Sequence, residues 1–325
     1  LMQTRLAAVS VLAVVLPFVR TGLCQSYPPG VIDVPGTIDS IPGFRQIGSD
    51  TTVNLFDGGR IGQSFWLGNF DGPVANTELN VFGGIVGVDL FVFEGAVANL
   101  LGGEALDGVN AYNGGSVNVF DGVVGYELSS LPGSNVNIHG GVVGRGLAAA
   151  NGGTVTISGG RIGRLFGRFP RLEDVPYPTR SLVVESGGTA EVLGGVFEAP
   201  VWFWQGSNVT LHAGELLLNG ARPNSGPVTL SEGDVLTGTF ADGQTFAFAP
   251  SALGDDVNGL NLVDVSVPPI DTTPVLIDDA SDVAPAGLRA GQSLTVNGSG
   301  KIGDFFTVVD AAVDIQGGTI GGGLT

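Results

Sequence analysis

Apolar and polar positions alternate in a fixed order along most of this chain. An apolar, a polar and an apolar residue recur at constant spacing from Leu79 to Val155, and after one longer gap the same spacing resumes from Ala190. Successive tripeptides begin 19 residues apart, except for the longer step from Val155 to Ala190. The eight starts are Leu79, Ala98, Val117, Val136, Val155, Ala190, Val209 and Val228. Because alternate side chains of a strand point to opposite faces, each tripeptide predicts a short strand with two core residues and one outward residue.

Glycine and a second apolar position follow each tripeptide at constant distances. The glycines, five positions after each start, are Gly84, Gly103, Gly122, Gly141, Gly160, Gly195, Gly214 and Gly233. The apolar residues, seven positions after each start, are Val86, Ala105, Val124, Val143, Ile162, Phe197, Leu216 and Val235. Since glycine adopts positive φ without steric cost, we predict a turn and then a second buried stripe in every repeat.

A repeat of this size cannot close a hydrophobic core alone. Stacked coil on coil, each strand would pair in parallel with its copy about 4.8 Å away, and the apolar residues would form one core. The polar middle residues, such as Asn80, Asn99, Asn118 and Asn137, would then form external ladders. We therefore predict an all-β chain, a β-solenoid of the parallel β-helix type. A propeller is the structural alternative, but its blades need about 40 residues and four antiparallel strands.

The pattern divides the chain into five segments. Residues 1–24 are expected to be a signal peptide cleaved before Gln25, because the apolar run from Leu6 to Val19 is too short to span a membrane. A lipoprotein signal with the lipid on Cys24 is the alternative. Residues 25–42 would be a leader and residues 43–237 the first solenoid module, with an inserted loop at 165–180. Residues 238–286 would hold a β-hairpin and an acidic, proline-rich linker, and residues 287–325 the start of a second module, truncated in mid-coil.

Composition excludes several classes of protein. With 43% hydrophobic residues the chain has enough apolar surface to fold, so disorder is not expected. Its 31 acidic and 13 basic residues give a net charge of −18, which argues against nucleic acid as a partner. After cleavage the chain would contain no cysteine, and hence neither a disulfide nor a thiolate metal site.

The units VNVFDGVVG, VNIHGGVVG and VTISGGRIG resemble those of secreted bacterial β-solenoid repeat proteins of the adhesin and surface-fibre type. The resemblance covers about 79–237 and resumes at 288. It implies a β-solenoid that is secreted or displayed at the cell surface. Such proteins commonly serve as surface fibres, adhesins or matrix components, while others are polysaccharide lyases and hydrolases.

A basic loop beside two tryptophans is the candidate ligand-binding site. Its residues are Arg161, Arg164, Arg168, Arg171, Tyr177, Arg180, Trp202 and Trp204. The arginines could bind an acidic polysaccharide; alternatively, they pair with acids such as Glu173 and Asp174. Eleven positions after the coil start the residue is mostly apolar and should face inward, as at Leu90, Val109, Leu128, Leu147, Phe166 and Val201. Trp202 and Trp204 should therefore face outward as a stacking platform for sugar rings. The alternative is that the loop folds over them.

No catalytic or metal site is expected. His139 and His212 are three coils apart, too far to share a zinc ion. The outward Asn/Thr ladder offers no pair of carboxyl groups for glycoside hydrolysis. Calcium could bind acids between the modules, but their spacing matches no calcium loop, so a solvated acidic linker without a cofactor is expected. These acids are Asp255, Asp256, Asp278, Asp279 and Asp282.

Three functional hypotheses follow. The first is a non-catalytic extracellular protein that forms or decorates a fibre, stalk or matrix, as a homo-oligomer or filament without a membrane span. The second is a carbohydrate-binding or polysaccharide-degrading β-helix that uses the basic loop and the two tryptophans. The third is binding of ice or a mineral surface by the Asn/Thr ladder, although that ladder lacks a uniform threonine array.

Overall fold

Every secondary-structure element of the described part of the chain is a β-strand. The computed structural model describes residues 27–36, 38–144, 146–163, 180–198, 201–224, 226–231, 233–248, 257–279, 284, 287–302, 306–308 and 311–320. Together they form a β-solenoid of about 13 turns, stacked in parallel. The predicted fold class is confirmed.

The strands fall into two parts along the chain. The strands of the first part are β1 (Gly30–Val34), β2 (Ser40–Ile41), β3 (Gln46–Ile47), β4 (Thr51–Leu55), β5 (Arg60–Ile61), β6 (Phe65–Leu67), β7 (Thr77–Val81), β8 (Ile85–Val92), β9 (Ala96–Ala111), β10 (Ser116–Val124), β11 (Glu127–Ser130), β12 (Asn135–Ile138), β13 (Val142–Val143), β14 (Gly146–Ala149), β15 (Thr154–Ile157), β16 (Arg161–Ile162), β17 (Leu182–Val184), β18 (Thr189–Val192), β19 (Val196–Phe197), β20 (Val201–Phe203), β21 (Asn208–Leu218), β22 (Val228–Leu230), β23 (Leu236–Phe240), β24 (Thr245–Phe248) and β25 (Val257–Asp264). The second part comprises β26 (Val275–Ile277), β27 (Gly287–Leu288), β28 (Ser293–Val296), β29 (Lys301–Ile302), β30 (Thr307–Val308), β31 (Ala312–Ile315) and β32 (Thr319–Ile320).

The coils of the first part have three faces, each built from parallel strands of successive coils. The first face runs β1–β4–β7–β9–β10–β12–β15–β18–β21–β25. The second runs β2–β5–β8–β9–β10–β13–β16–β19. The third runs β3–β6–β8–β9–β11–β14–β17–β20–β25. Long strands such as β9 bend from face to face, which joins 25 strands by hydrogen bonds.

In-register stacking makes one continuous core. Val136 pairs with Val155, and Ile138 with Ile157, and all four side chains are fully buried. One core cluster extends from Ile32 to Leu260, so it joins all coils of the first part. The turn glycines also behave as predicted, because seven of the eight have positive φ. Gly214 is the exception, since β21 continues through it to Leu218.

An amide ladder follows the first face. Each Asn side chain donates from Nδ2 to Oδ1 of the residue one coil earlier, and the series ends on the carboxylate of Asp33. Its members are Asp33, Asn54, Asn80, Asn99, Asn118 and Asn137, at donor–acceptor distances of 2.8 to 3.2 Å. All six side chains are half-buried. The predicted polar ladder is therefore a directional chain of hydrogen bonds.

The solenoid begins before the predicted first coil. β1 pairs in register with β4, and β2 with β5, so residues assigned to a leader already form a coil. The tripeptide that starts at Ile32 is followed by one at Val53, and that one is followed by the tripeptide at Leu79. Because both of these steps are longer than the regular repeat, the constant spacing did not reveal the coil at Ile32.

The repeat starting at Val228 does not form a parallel coil. The chain reverses at Asn219 and Gly220, which both have positive φ, as a two-residue hairpin turn requires. β22 then pairs antiparallel with β25, and β25 takes the next parallel position on β21. The regular step from Val209 to Val228 was therefore misleading. The predicted hairpin is confirmed as β23 paired antiparallel with β24.

The inward row of the third face continues after the inserted loop. Leu182 pairs with Leu147 and is fully buried. The predicted inward residue Phe166 lies outside the described residues, with the rest of 164–179.

A second core lies beyond β25. β26, β28 and β31 stack in parallel, so the end of the predicted linker already supplies a coil strand. Ile277, Leu294 and Val296 belong to this core cluster. The two parts meet at the buried side chain of Arg289, whose Nη1 donates to Oε2 of Glu215 at 2.8 Å.

Removing one amide from the ladder should destabilise the solenoid. Asn118→Ala breaks the hydrogen bonds to Asn99 and Asn137, so we expect a loss of about 1–2 kcal/mol in the free energy of unfolding. Urea denaturation measures this loss. Asn135→Ala, at an exposed position of the neighbouring strand, is the matched control. Equal effects of the two substitutions would contradict a stabilising ladder.

Candidate functional site

Trp202, in β20, and Trp204, directly after it, project from the third face. The phase of the repeat predicted this orientation. Val201 and Phe203 point into the core and are buried, whereas Trp202 is half-buried and Trp204 is exposed. The ring centroids of Trp202 and Trp204 lie 5.3 Å apart, with their planes tilted by 43°. Together they form an aromatic surface on one coil.

Arg180 covers one of these rings. Its guanidinium carbon lies 3.8 Å from the centroid of the Trp202 ring, which is the geometry of a cation–π contact. Arg180 lies shortly before β17, the strand that pairs with β20. The structure therefore joins the last arginine of the inserted loop to the tryptophan platform.

Arg161 has a different environment. Its Nη2 forms an ion pair with Oε1 of Glu198, in the coil that follows it on the second face. This pairing fits the interpretation of the arginines as partners of nearby acids. Arg164, Arg168, Arg171 and Tyr177 lie outside the described residues.

A larger aromatic cluster occupies the same face near the start of the solenoid. Its members, in mutual ring contact, are Trp66, Phe70, Phe91, Phe93 and Tyr112. Trp66 stands in register with Phe91, and the register continues through four coils to Val183 and then Trp202. Six coil steps separate Trp66 from Trp202, or about 29 Å.

Sequence reasoning missed this cluster although the signal was present. Leu90 occupies the inward position of its coil and is fully buried, which sends Phe91 outward by the rule that placed Trp202. The same alternation in β6 buries Phe65 and Leu67 and exposes Trp66. Applying the rule to every coil would have found the aromatic residues of both regions.

Three carboxyl groups lie beside the aromatic cluster. Burial, followed by the charges of Asp89 and Glu127, raises the pKa of Asp107. Burial and the same two charges raise the pKa of Tyr112. The expectation that the outward ladder lacks paired carboxyl groups concerned the first face; the third face does bring carboxyl groups together.

Both histidines lie on the first face, three coils apart as predicted. His139 stacks on Phe120, with ring centroids 4.9 Å apart, and its Nδ1 lies 3.0 Å from Oγ of Ser158. His212 places Nε2 at 3.0 Å from Oε1 of Glu191. Among the described residues, no group of three or more His, Cys, Asp or Glu side chains could hold a metal ion. Nor does the described part of the chain contain a helix that could cross a membrane.

The carboxyl cluster should make stability depend on pH. A raised pKa means that Asp107 holds its proton more tightly in the folded chain than in the unfolded chain. Protonated Asp107 therefore favours folding, and this stabilisation is lost as the pH rises through the folded pKa. Asn is uncharged at every pH, so we expect Asp107→Asn to raise the melting temperature at about pH 7. The gain should vanish below pH 3.8, the ordinary pKa of an aspartate side chain.

Thermal melting across this pH range, followed by circular dichroism, tests the prediction. Glu94→Gln removes the same charge from an exposed position just after β8 and controls for the change in net charge. A lower melting temperature of Asp107→Asn at neutral pH would contradict the proposed repulsion.

The geometry of the coils is that of a β-solenoid, and its outward side chains carry the candidate chemistry. No protein-family model, curated protein or solved structure matches this chain. The aromatic and charged surfaces described above are therefore the basis for a functional proposal.

Proposed function

We propose that this protein is an extracellular structural element, a solenoid that forms or decorates a fibre, stalk or surface matrix without catalysing a reaction. The continuity of the first part carries this proposal. Its first face extends over ten strands, which at about 4.8 Å per step is about 43 Å along one unbroken core. A rod built by stacking one kind of coil suits a spacer or fibre.

Charge and polar satisfaction support the same role. A net charge of −18 keeps a long, regular rod soluble. The amide ladder satisfies outward polar groups within the chain, so the fold needs no ligand to complete it. The proposed secretion depends on the apolar run from Leu6 to Val19, which lies outside the described residues.

A second candidate is carbohydrate binding along the third face. Arg180 and Trp202 support it, because a cation over an indole ring holds the aromatic surface in place beside a donor of hydrogen bonds. The cluster around Trp66 adds a second aromatic surface on the same face. An extended saccharide could contact both surfaces, with hydroxyl groups near the carboxyl cluster between them.

Negative-stain electron microscopy of the purified full chain tests the structural proposal. We expect rods or filaments whose length increases with protein concentration. Discrete particles no longer than one chain, at every concentration, would count against a fibre-forming role. Samples unfolded in denaturant and refolded provide the control for non-specific aggregates.

A glycan array tests the second candidate. Trp202→Ala should weaken binding of a captured saccharide about tenfold or more, since aromatic anchors dominate such contacts. Arg180→Lys keeps the charge but loses the planar stacking group, and should weaken binding less. Phe44→Ala, at an exposed aromatic residue outside the two clusters, is the control. Absence of glycan binding, or binding indifferent to Trp202→Ala, would remove this candidate.

A further inference from the structure

The first face carries an almost uncharged surface on a strongly acidic protein. We define the neutral face as the outward side chains of residues 52–56, 78–82, 97–101, 116–120, 135–139 and 154–158, which stack in six consecutive coils. Within these ranges Glu78 is the one acidic residue, and there is no Lys or Arg. Exposed Asp57 and Asp121 lie at the edge of the face, where Asp121 stands in register with Leu101. The chain as a whole has a net charge of −18.

Three parallel rows make up the neutral face. The middle row is the amide ladder, continued by Thr156. The row after it consists of Phe56, Phe82, Leu101, Phe120, His139 and Ser158. Phe56 is 39% exposed, Phe82 49%, Leu101 37% and Phe120 45%. Phe56 and Phe82 stack at 5.3 Å between centroids, and Phe120 stacks on His139. Apolar side chains therefore occupy four of the six positions of this row, beside the amides.

The amides of this face use one of their two N–H donors within the ladder. The Nδ2 groups of Asn80, Asn99, Asn118 and Asn137 already donate within the ladder. Each amide keeps one further N–H, so a partner that buries the ladder must offer acceptors for it, as the Oδ1 atoms of a second ladder can. Satisfied Asn ladders beside stacked aromatic rings are the surfaces that form dry contacts between paired β-sheets.

We infer that the neutral face is a lateral contact surface for a second copy of this chain, packed face to face. A second copy has the same repeat along its coils, so the rows of both copies stay in step over the whole contact. Its charge distribution also matches, because the neutral face is where two molecules of net charge −18 can approach without opposing rows of carboxylates. The inference deepens the proposed structural role and depends on it.

The size of the face sets the strength of the contact. Five coil steps and four residue steps give about 24 Å by about 13 Å, or about 300 Å² on each copy. A standard stable interface buries about 800 Å² on each partner. We therefore expect weak association that grows with protein concentration and with salt, because salt screens the repulsion between the acidic chains.

Sedimentation equilibrium of the full chain tests the inference. Association should increase between about 10 µM and about 1 mM protein, and when sodium chloride rises from about 0.05 M to about 0.5 M. The double variant Phe82→Glu/Phe120→Glu places carboxylates in the apolar row and should weaken association at least about tenfold. The double variant Phe82→Ser/Phe120→Ser is a milder test, because it adds no charge and serine already occupies this row at Ser158. Circular dichroism checks that each variant is folded.

Leu276→Glu is the matched control, because it adds the same charge at an exposed apolar residue of the second part. It should associate like the wild-type chain. Loss of association in both Phe pairs but not in this control supports the inference. Undiminished association of the folded Phe pairs, or a wild-type chain that stays monomeric, overturns it. Filaments that persist in the Phe pairs overturn the lateral contact but leave the structural role in place, whereas absence of filaments in the wild-type chain counts against that role.

Discussion

In-register stacking of coils is the constraint on which the rest of this structure depends. Each position must accept its own copy about 4.8 Å above and below, so a residue type tolerated once is tolerated along the whole row. Inward rows become continuous apolar ladders such as Val117, Val136 and Val155. On the first face, outward rows become the amide ladder and, at Phe56 and Phe82, stacked aromatic rings. The same constraint therefore produces both the core and the regular surface.

Periodicity made the repeat predictable, and its interruptions limited the prediction. The coils from Leu79 to Val209 were predicted correctly because constant spacing along the chain reports in-register stacking directly. The coil at Ile32 was missed because extra residues lie between it and the regular series. Val228 was misassigned because spacing along the chain cannot distinguish a parallel strand from one that returns after the turn at Asn219. Long-range pairing, such as β25 on β21, depends on contacts that no local pattern records.

Candidate sites were less predictable than the core because the outward residues of the third face change from coil to coil, as Asn110, Ser129 and Ala148 show. The rule that placed Trp202 outward was correct, and the same rule would have found Trp66 and Phe91. The contact of Arg180 with Trp202 could not be predicted, because an insertion separates Arg180 from the preceding coil. The raised pKa of Asp107 also depends on neighbours one coil away on each side. The third face thus combines aromatic rings and charges, whereas the six coils of the neutral face carry few charged side chains.

The direction of the amide ladder has a consequence for how such a chain can change its length. Every donor points to the preceding coil, and the carboxylate of Asp33 receives the first hydrogen bond. A coil gained by duplication of one whole repeat would meet a donor on one side and an acceptor on the other, in the correct order. A gain or loss of a single residue within a strand would instead disturb the register of that strand with its neighbours. Recombination in whole repeats can therefore lengthen or shorten this rod in evolution, while small insertions are confined to turns.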